Sequence, residues 1–119
     1  MDVDECVAYL RRFLEEGRIP GLAPSDELLA RFREECAREF DQLRRWGLKS
    51  YLSARPTALG LQARPSVRGV REEPRALPCA FAFFILCQKL ESEGTLKVPA
   101  AEAYERFDNW LREQLGSER

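Results

Sequence analysis

The sequence predicts a mostly α, single-domain four-helix arrangement with a central apolar third helix and a long basic crossover loop between helices two and three. Three observations predict it. Nine consecutive apolar residues, Cys79 to Cys87, sit inside the stretch LPCAFAFFILCQKL at 77–90. Three other stretches repeat apolar residues at three- and four-residue spacing, each opened by a capping signal and closed by Gly. Between residues 55 and 74, three Pro and two Gly break that spacing.

The apolar run decides where the core lies, because water is excluded from every side of it. A helix of nine residues rises about 13 Å, less than half of a bilayer's hydrocarbon core, so it is a core element and no membrane contact is expected. Phe81, Phe83, Phe84 and Ile85 also suit a buried strand, and periodicity alone does not separate the two over so short a run. Ala80, Ala82 and Leu86 favour helix, and Gln88 to Glu91 continue without a breaker as far as Gly94.

The first helix is expected near 3–16. Asp2 and Glu5 have capping-box spacing, and Val3, Cys6, Val7, Leu10, Phe13 and Leu14 form one face that stops at Gly17. The DxDE cluster is read as a cap, since no further oxygen ligands or tight Gly turn follow it as a cation loop requires. The loop GRIPGLAP folds the chain back, and Ser25 caps a second helix near 25–46, with an extension to 52 if Gly47 only weakens it. Its apolar stripe is Leu28, Leu29, Phe32, Cys36, Phe40, Leu43 and then Trp46 or Gly47, and the carboxylates Glu34, Glu35, Glu39 and Asp41 are read as a solvated face.

The crossover, 53–75, is long for a structureless connection inside a domain of 1–119. Leu59, Leu61 and Ala63 alternate with Gly60 and Gln62 ahead of an Arg64-Pro65-Ser66 turn signal, which fits a small irregular hairpin. The fourth helix is expected near 99–115, with Pro99 in its first turn and Ala100, Ala103, Tyr104, Phe107, Trp110, Leu111 and Leu115 on its apolar face.

A chain of 119 residues can bury roughly two-thirds of its unfolded surface without staples. The net charge of −1 hides an uneven distribution. Residues 1–43 hold six Lys/Arg against eleven Asp/Glu, residues 44–75 eight against two, and residues 76–119 five against seven. The middle third is therefore a basic island between acidic ends. The N-terminal MDVDECVAYL has neither a basic n-region nor an apolar h-region, so a cytoplasmic protein is expected. Cys6, Cys36, Cys79 and Cys87 fall on apolar positions without CxxC spacing and read as buried reduced thiols.

The same inventory argues against catalysis. Without His there is no Ser-His or Cys-His nucleophile pair, and no GxGxxG or GxxxxGK[ST] loop is present to cradle a phosphate. No catalytic, cofactor-binding or metal-binding residues are expected. What remains is binding, and the candidate residues are Arg44, Arg45, Lys49, Arg55, Arg64, Arg68, Arg71 and Arg75. The first expectation is a non-catalytic helical adaptor or accessory subunit, whose apolar helix faces and arginine-rich segment bind a protein partner or a second copy as a homodimer. The alternative is nucleic-acid binding through residues 44–75, with the C-terminal helix pair acting as a helix-turn-helix variant that carries Lys97, Arg106 and Arg112. The acidic flanks would repel a polyanion, which favours the protein partner.

Overall fold

The computed structural model describes residues 1–60 and 76–117. Among these residues lie five helices, one more than the four expected: α1 (Val3–Glu15), α2 (Asp26–Trp46), α3 (Leu48–Ala58), α4 (Leu77–Ser92) and α5 (Ala100–Ser117). There is no strand among the described residues. The supposed hairpin beyond Gly60 and the arginines Arg64, Arg68, Arg71 and Arg75 lie outside them.

The expected caps form. The Glu5 amide donates to Asp2 Oδ1 at 2.9 Å, and the Leu28 amide donates to Ser25 Oγ at 3.1 Å. Pro99 lies one position earlier than expected, just before α5; its carbonyl accepts the Ala103 amide, while Glu91 accepts the amide of Ala100. The pairs that helical spacing puts on the outer face of α5, Glu102–Arg106 and Asp108–Arg112, both close at 2.8 Å, although the Asp108 side chain is only 13% exposed.

Helix α4 is the centre of the body, packed against α2 and α5, with every residue from Leu77 to Phe84 buried. One aromatic ring from each of four helices meets there. Phe83 lies 6.1 Å from Phe13 of α1, 6.4 Å from Phe32 of α2 and 4.9 Å from Phe107 of α5, centroid to centroid. Trp110 continues the cluster against Phe13 and Phe107. Edge and tilted contacts of this kind add about 0.5–1.5 kcal/mol per pair beyond the area they bury.

The extra helix results from how α2 stops. Gly47 adopts φ +81°, a backbone state that suits Gly, and its amide still donates to the Leu43 carbonyl while its own carbonyl accepts from Tyr51. One residue thus closes α2 and opens α3 without a loop. The crossover expected from residue 53 begins later, because α3 runs to Ala58 and takes in Pro56 in its last turn. There a missing amide removes one bond near a helix end, not in its middle. Helix α3 has no side-chain cap at its start and little apolar periodicity, so its own sequence holds it weakly.

Candidate functional site

Two features converge where α2 meets α3: an exposed corner that joins basic and apolar side chains, and a buried polar network that holds α3 in place. The network begins with the face of α2. Leu28, Leu29, Phe32 and Cys36 are buried as expected, but beyond them the buried face turns to Glu35 and Glu39, while Phe40 and Leu43 are only half-buried. The reading of these carboxylates as a solvated face is therefore corrected for Glu35 and Glu39. Glu34 is exposed, and it and Asp41 keep their pairs with Arg38 and Arg45.

Glu39 is 1% exposed and accepts three hydrogen bonds from α3. Tyr51 Oη and Arg55 Nε donate to its Oε1 at 2.8 Å each, and Arg55 Nη2 donates to Oε2. Burial first, and then the Glu39 charge, pushes the Tyr51 phenol well above its ordinary value. The Glu39 hydrogen bond raises Arg55 despite its partial burial. One turn earlier, Glu35 accepts from Lys89 Nζ of α4 and from Arg38 Nη1 at 2.9 Å. A carboxylate removed from water needs this degree of pairing, and removing one partner of such a pair costs about 3–5 kcal/mol. The two glutamates thus tie α2 to α3 on one side and to α4 on the other.

Tyr51 also closes the apolar side of the joint. Its ring lies 6.0 Å from Phe81 of α4 and 6.3 Å from Trp46. With Tyr51 drawn inward, Trp46 and Leu48 on either side of Gly47 are each left 42% exposed, the only large apolar side chains so exposed among the described residues. Basic residues flank them in sequence. Arg44 Nη2 lies 2.6 Å and Arg45 Nε 3.0 Å from the two oxygens of the single carboxylate of Asp41, and Lys49 is exposed on the first turn of α3. Two arginines share one carboxylate and Lys49 adds a further cation nearby in sequence, so residues 41–49 carry a net positive charge.

Of the eight residues singled out in the sequence, Arg44 and Arg45 are exposed on the last turn of α2 and Lys49 on the first turn of α3. Arg55 is set apart from them: its side chain is 13% exposed and its guanidinium fork is engaged by Glu39. The other four, Arg64, Arg68, Arg71 and Arg75, lie in the stretch that is not described. Sequence reasoning missed Trp46 and Leu48 as surface groups, because both continue a helical apolar spacing and the inward turn at Tyr51 leaves no mark on that spacing.

Both arginines of the C-terminal helix are engaged within the fold. Arg106 donates to Glu102 and to the Arg18 carbonyl, Arg112 pairs with Asp108, and the Lys97 side chain lies close beneath Gly21. An open cleft of about 360 Å³ borders Arg106, Arg18 and Trp110, but Arg18 is itself bridged to Glu16 at 3.0 Å. Among the described residues no cluster of His, Cys, Asp or Glu could hold a metal ion, and no helix is long and apolar enough to cross a membrane. No protein-family model, curated protein or solved structure matches the chain.

Proposed function

We propose that the protein is a non-catalytic helical binding module, an adaptor or accessory subunit, that takes an acidic, amphipathic segment of a protein partner at the α2–α3 corner. The observation that carries this reading is the pairing of exposed Trp46 and Leu48 with Arg44, Arg45 and Lys49 on one short turn. Trp and Arg are among the side chains most enriched at the energetic centres of protein interfaces, and an apolar anchor flanked by cations selects an apolar residue flanked by carboxylates. The four arginines further along the chain, Arg64, Arg68, Arg71 and Arg75, extend the same preference in sequence. An arginine fork takes a carboxylate with two parallel hydrogen bonds, which adds orientation to attraction.

The test is a titration of the whole protein with acidic amphipathic peptides, with peptides whose carboxylates are made amides, and with single- and double-stranded oligonucleotides. Trp46 is a natural reporter, because the other tryptophan, Trp110, is buried. The acidic peptides are expected to shift its emission and to lose affinity in R44E/R45E and in W46A, the latter followed by calorimetry. Amide peptides that bind equally well would remove the charged half of the reading. Oligonucleotide binding tighter than micromolar at physiological salt, with a steep salt dependence, would establish the nucleic-acid alternative instead.

A further inference from the structure

Helices α2 and α3 are joined by a single residue, Gly47. Its φ of +81° and ψ of 156° lie in a region essentially open to Gly alone, and a Cβ there would meet nothing within 4 Å. The fold-back therefore depends on the backbone at this residue and not on packing around it. The bonds on either side are already helical: the Gly47 amide donates to the Leu43 carbonyl, and the Gly47 carbonyl accepts from the Tyr51 amide. Turning this one residue to helical angles would join α2 and α3 into one helix from Asp26 to Ala58. In that helix Glu39 and Arg55, 16 positions apart, stand about 24 Å apart along the axis, so one straight chain cannot close their pair by itself.

We propose that Gly47 is the hinge of a reciprocal exchange between two copies of this chain, in which α2 and α3 straighten and each copy's Glu39 takes Arg55 and Tyr51 from the other. The ties that cross the hinge are complementary pairs: Glu39 with Tyr51 and Arg55, Glu35 with Lys89, and Arg31 with Glu93. Each closes equally well when α3, α4 and α5 come from a second copy, so exchange needs no new surface. The register about Gly47 is also symmetric. Glu39 and Arg55 lie eight positions to either side of it, and Trp46 and Leu48 lie one position to either side. A two-fold axis at Gly47 therefore sets Glu39 level with the second copy's Arg55, and Trp46 level with the second copy's Leu48. Those two are the exposed large apolar side chains of the described residues, and exchange brings them a mate. Straightening also sacrifices no side-chain cap, because α3 has none.

Concentration and the residue at position 47 set the balance. Gly accepts the folded-back angles freely and is a poor residue inside a straight helix, so a dilute chain closes on itself. Alanine reverses both preferences, being strained in the folded-back form and favoured in the straight one. Because α4 lies inside the body, copies exchange while they fold, and a closed monomer stays closed afterwards. The exchange stands whatever docks at the α2–α3 corner, and a docked segment and a second copy would compete for Trp46 and Leu48.

The experiment refolds the wild type and Gly47→Ala from denaturant over a range of concentrations and measures mass by sedimentation. The wild type is expected to give the 13.7 kDa monomer when dilute, and a growing share of a particle of twice that mass as concentration rises. Gly47→Ala should become half dimeric at a roughly tenfold lower concentration, with helix content unchanged by circular dichroism. Two charge reversals separate exchange from simple surface contact. Glu39→Arg and Arg55→Glu each set like charges against each other within one chain, whereas an exchanged pair of the two variants restores both bridges. Refolded together, they should form a heterodimer under conditions where neither does so alone. If Gly47→Ala fails to fold, this mixture, which keeps Gly47, decides the matter. A wild type that refolds only as monomer at millimolar concentration, a folded Gly47→Ala that stays monomeric, or a mixture without heterodimer would each overturn the proposal.

Discussion

The four-helix body and the α3 appendage are held by opposite kinds of force. In the body, rings from α1, α2, α4 and α5 interlock around Phe83, and any single contact can be lost without stranding a charge. Helix α3 has Tyr51 and Pro56 as its buried residues, and it is fastened by Arg55 and Tyr51 to the buried carboxylate of Glu39. Apolar packing is non-directional and roughly proportional to area, so it tolerates slight shifts. A buried ion pair is directional and unforgiving: with both partners it fixes one arrangement, and with one partner it opposes folding. The difference matters for function because α3 sets the corner where Trp46, Leu48 and the cations meet.

The largest expected effect strikes the body. Phe83→Ala should cost about 3–5 kcal/mol in denaturant unfolding, and every probe should report the same transition, since the ring touches three other helices. A loss under 1 kcal/mol would mean that the aromatic cluster is not the centre of the core.

Next comes the joint. Glu39→Gln should cost about 3 kcal/mol by leaving Arg55 without its carboxylate, and amide exchange should speed up in α3 well before it does in α4. The paired replacement Glu39→Leu with Arg55→Met, made together with Tyr51→Phe so that no buried donor is left unpaired, should recover most of that loss, as matched apolar groups often do in place of a buried pair. Equal damage from the single and the paired variants would show that α3 is held by packing after all.

A pH experiment separates the regions more gently. The Tyr51 phenol is raised in the folded protein, so its contribution to stability is fully present below the ordinary tyrosine value of 10.0 and is lost as pH rises above it, when only the unfolded chain ionises readily. Tyr104 is raised as well, chiefly by burial, and acts in the same direction within the body. Stability should therefore fall above about pH 10, and Tyr51→Phe should flatten part of that fall. An unchanged alkaline profile in Tyr51→Phe would place its hydroxyl outside the network.

The smallest effect on stability belongs to the corner. Leu48→Ala should change it by about 0.5 kcal/mol, as for surface positions generally, and Trp46→Ala by about 1 kcal/mol, since it also gives up the tilted contact with Tyr51. Breaking the exposed Arg44–Asp41 bridge should cost at most about 1 kcal/mol. A loss above 2 kcal/mol in thermal unfolding would make Trp46 a packing residue of α3 instead of a contact for a partner.

The body helices and their ends were legible in the sequence because burial of an apolar side chain depends mainly on its own chemistry. Asp2 and Ser25 cap as their spacing implies, and Leu77 to Phe84 are buried wherever α4 is placed. The outer-face pairs on α5 needed only helical periodicity. Whether Glu35 and Glu39 are buried could not be read that way. Their partners Lys89 and Arg55 lie 54 and 16 positions away, on helices whose placement the local pattern of α2 does not contain. The same holds for the candidate site. The cations Arg44, Arg45 and Lys49 were visible as residue types, but the exposure of Trp46 and Leu48 follows from Tyr51 turning inward toward Glu39 and Phe81. The sequence by itself determined which residues avoid water and where the body helices begin. Only the tertiary structure decided which carboxylates could leave water and which large apolar side chains stay exposed, because both depend on partners brought from distant parts of the chain.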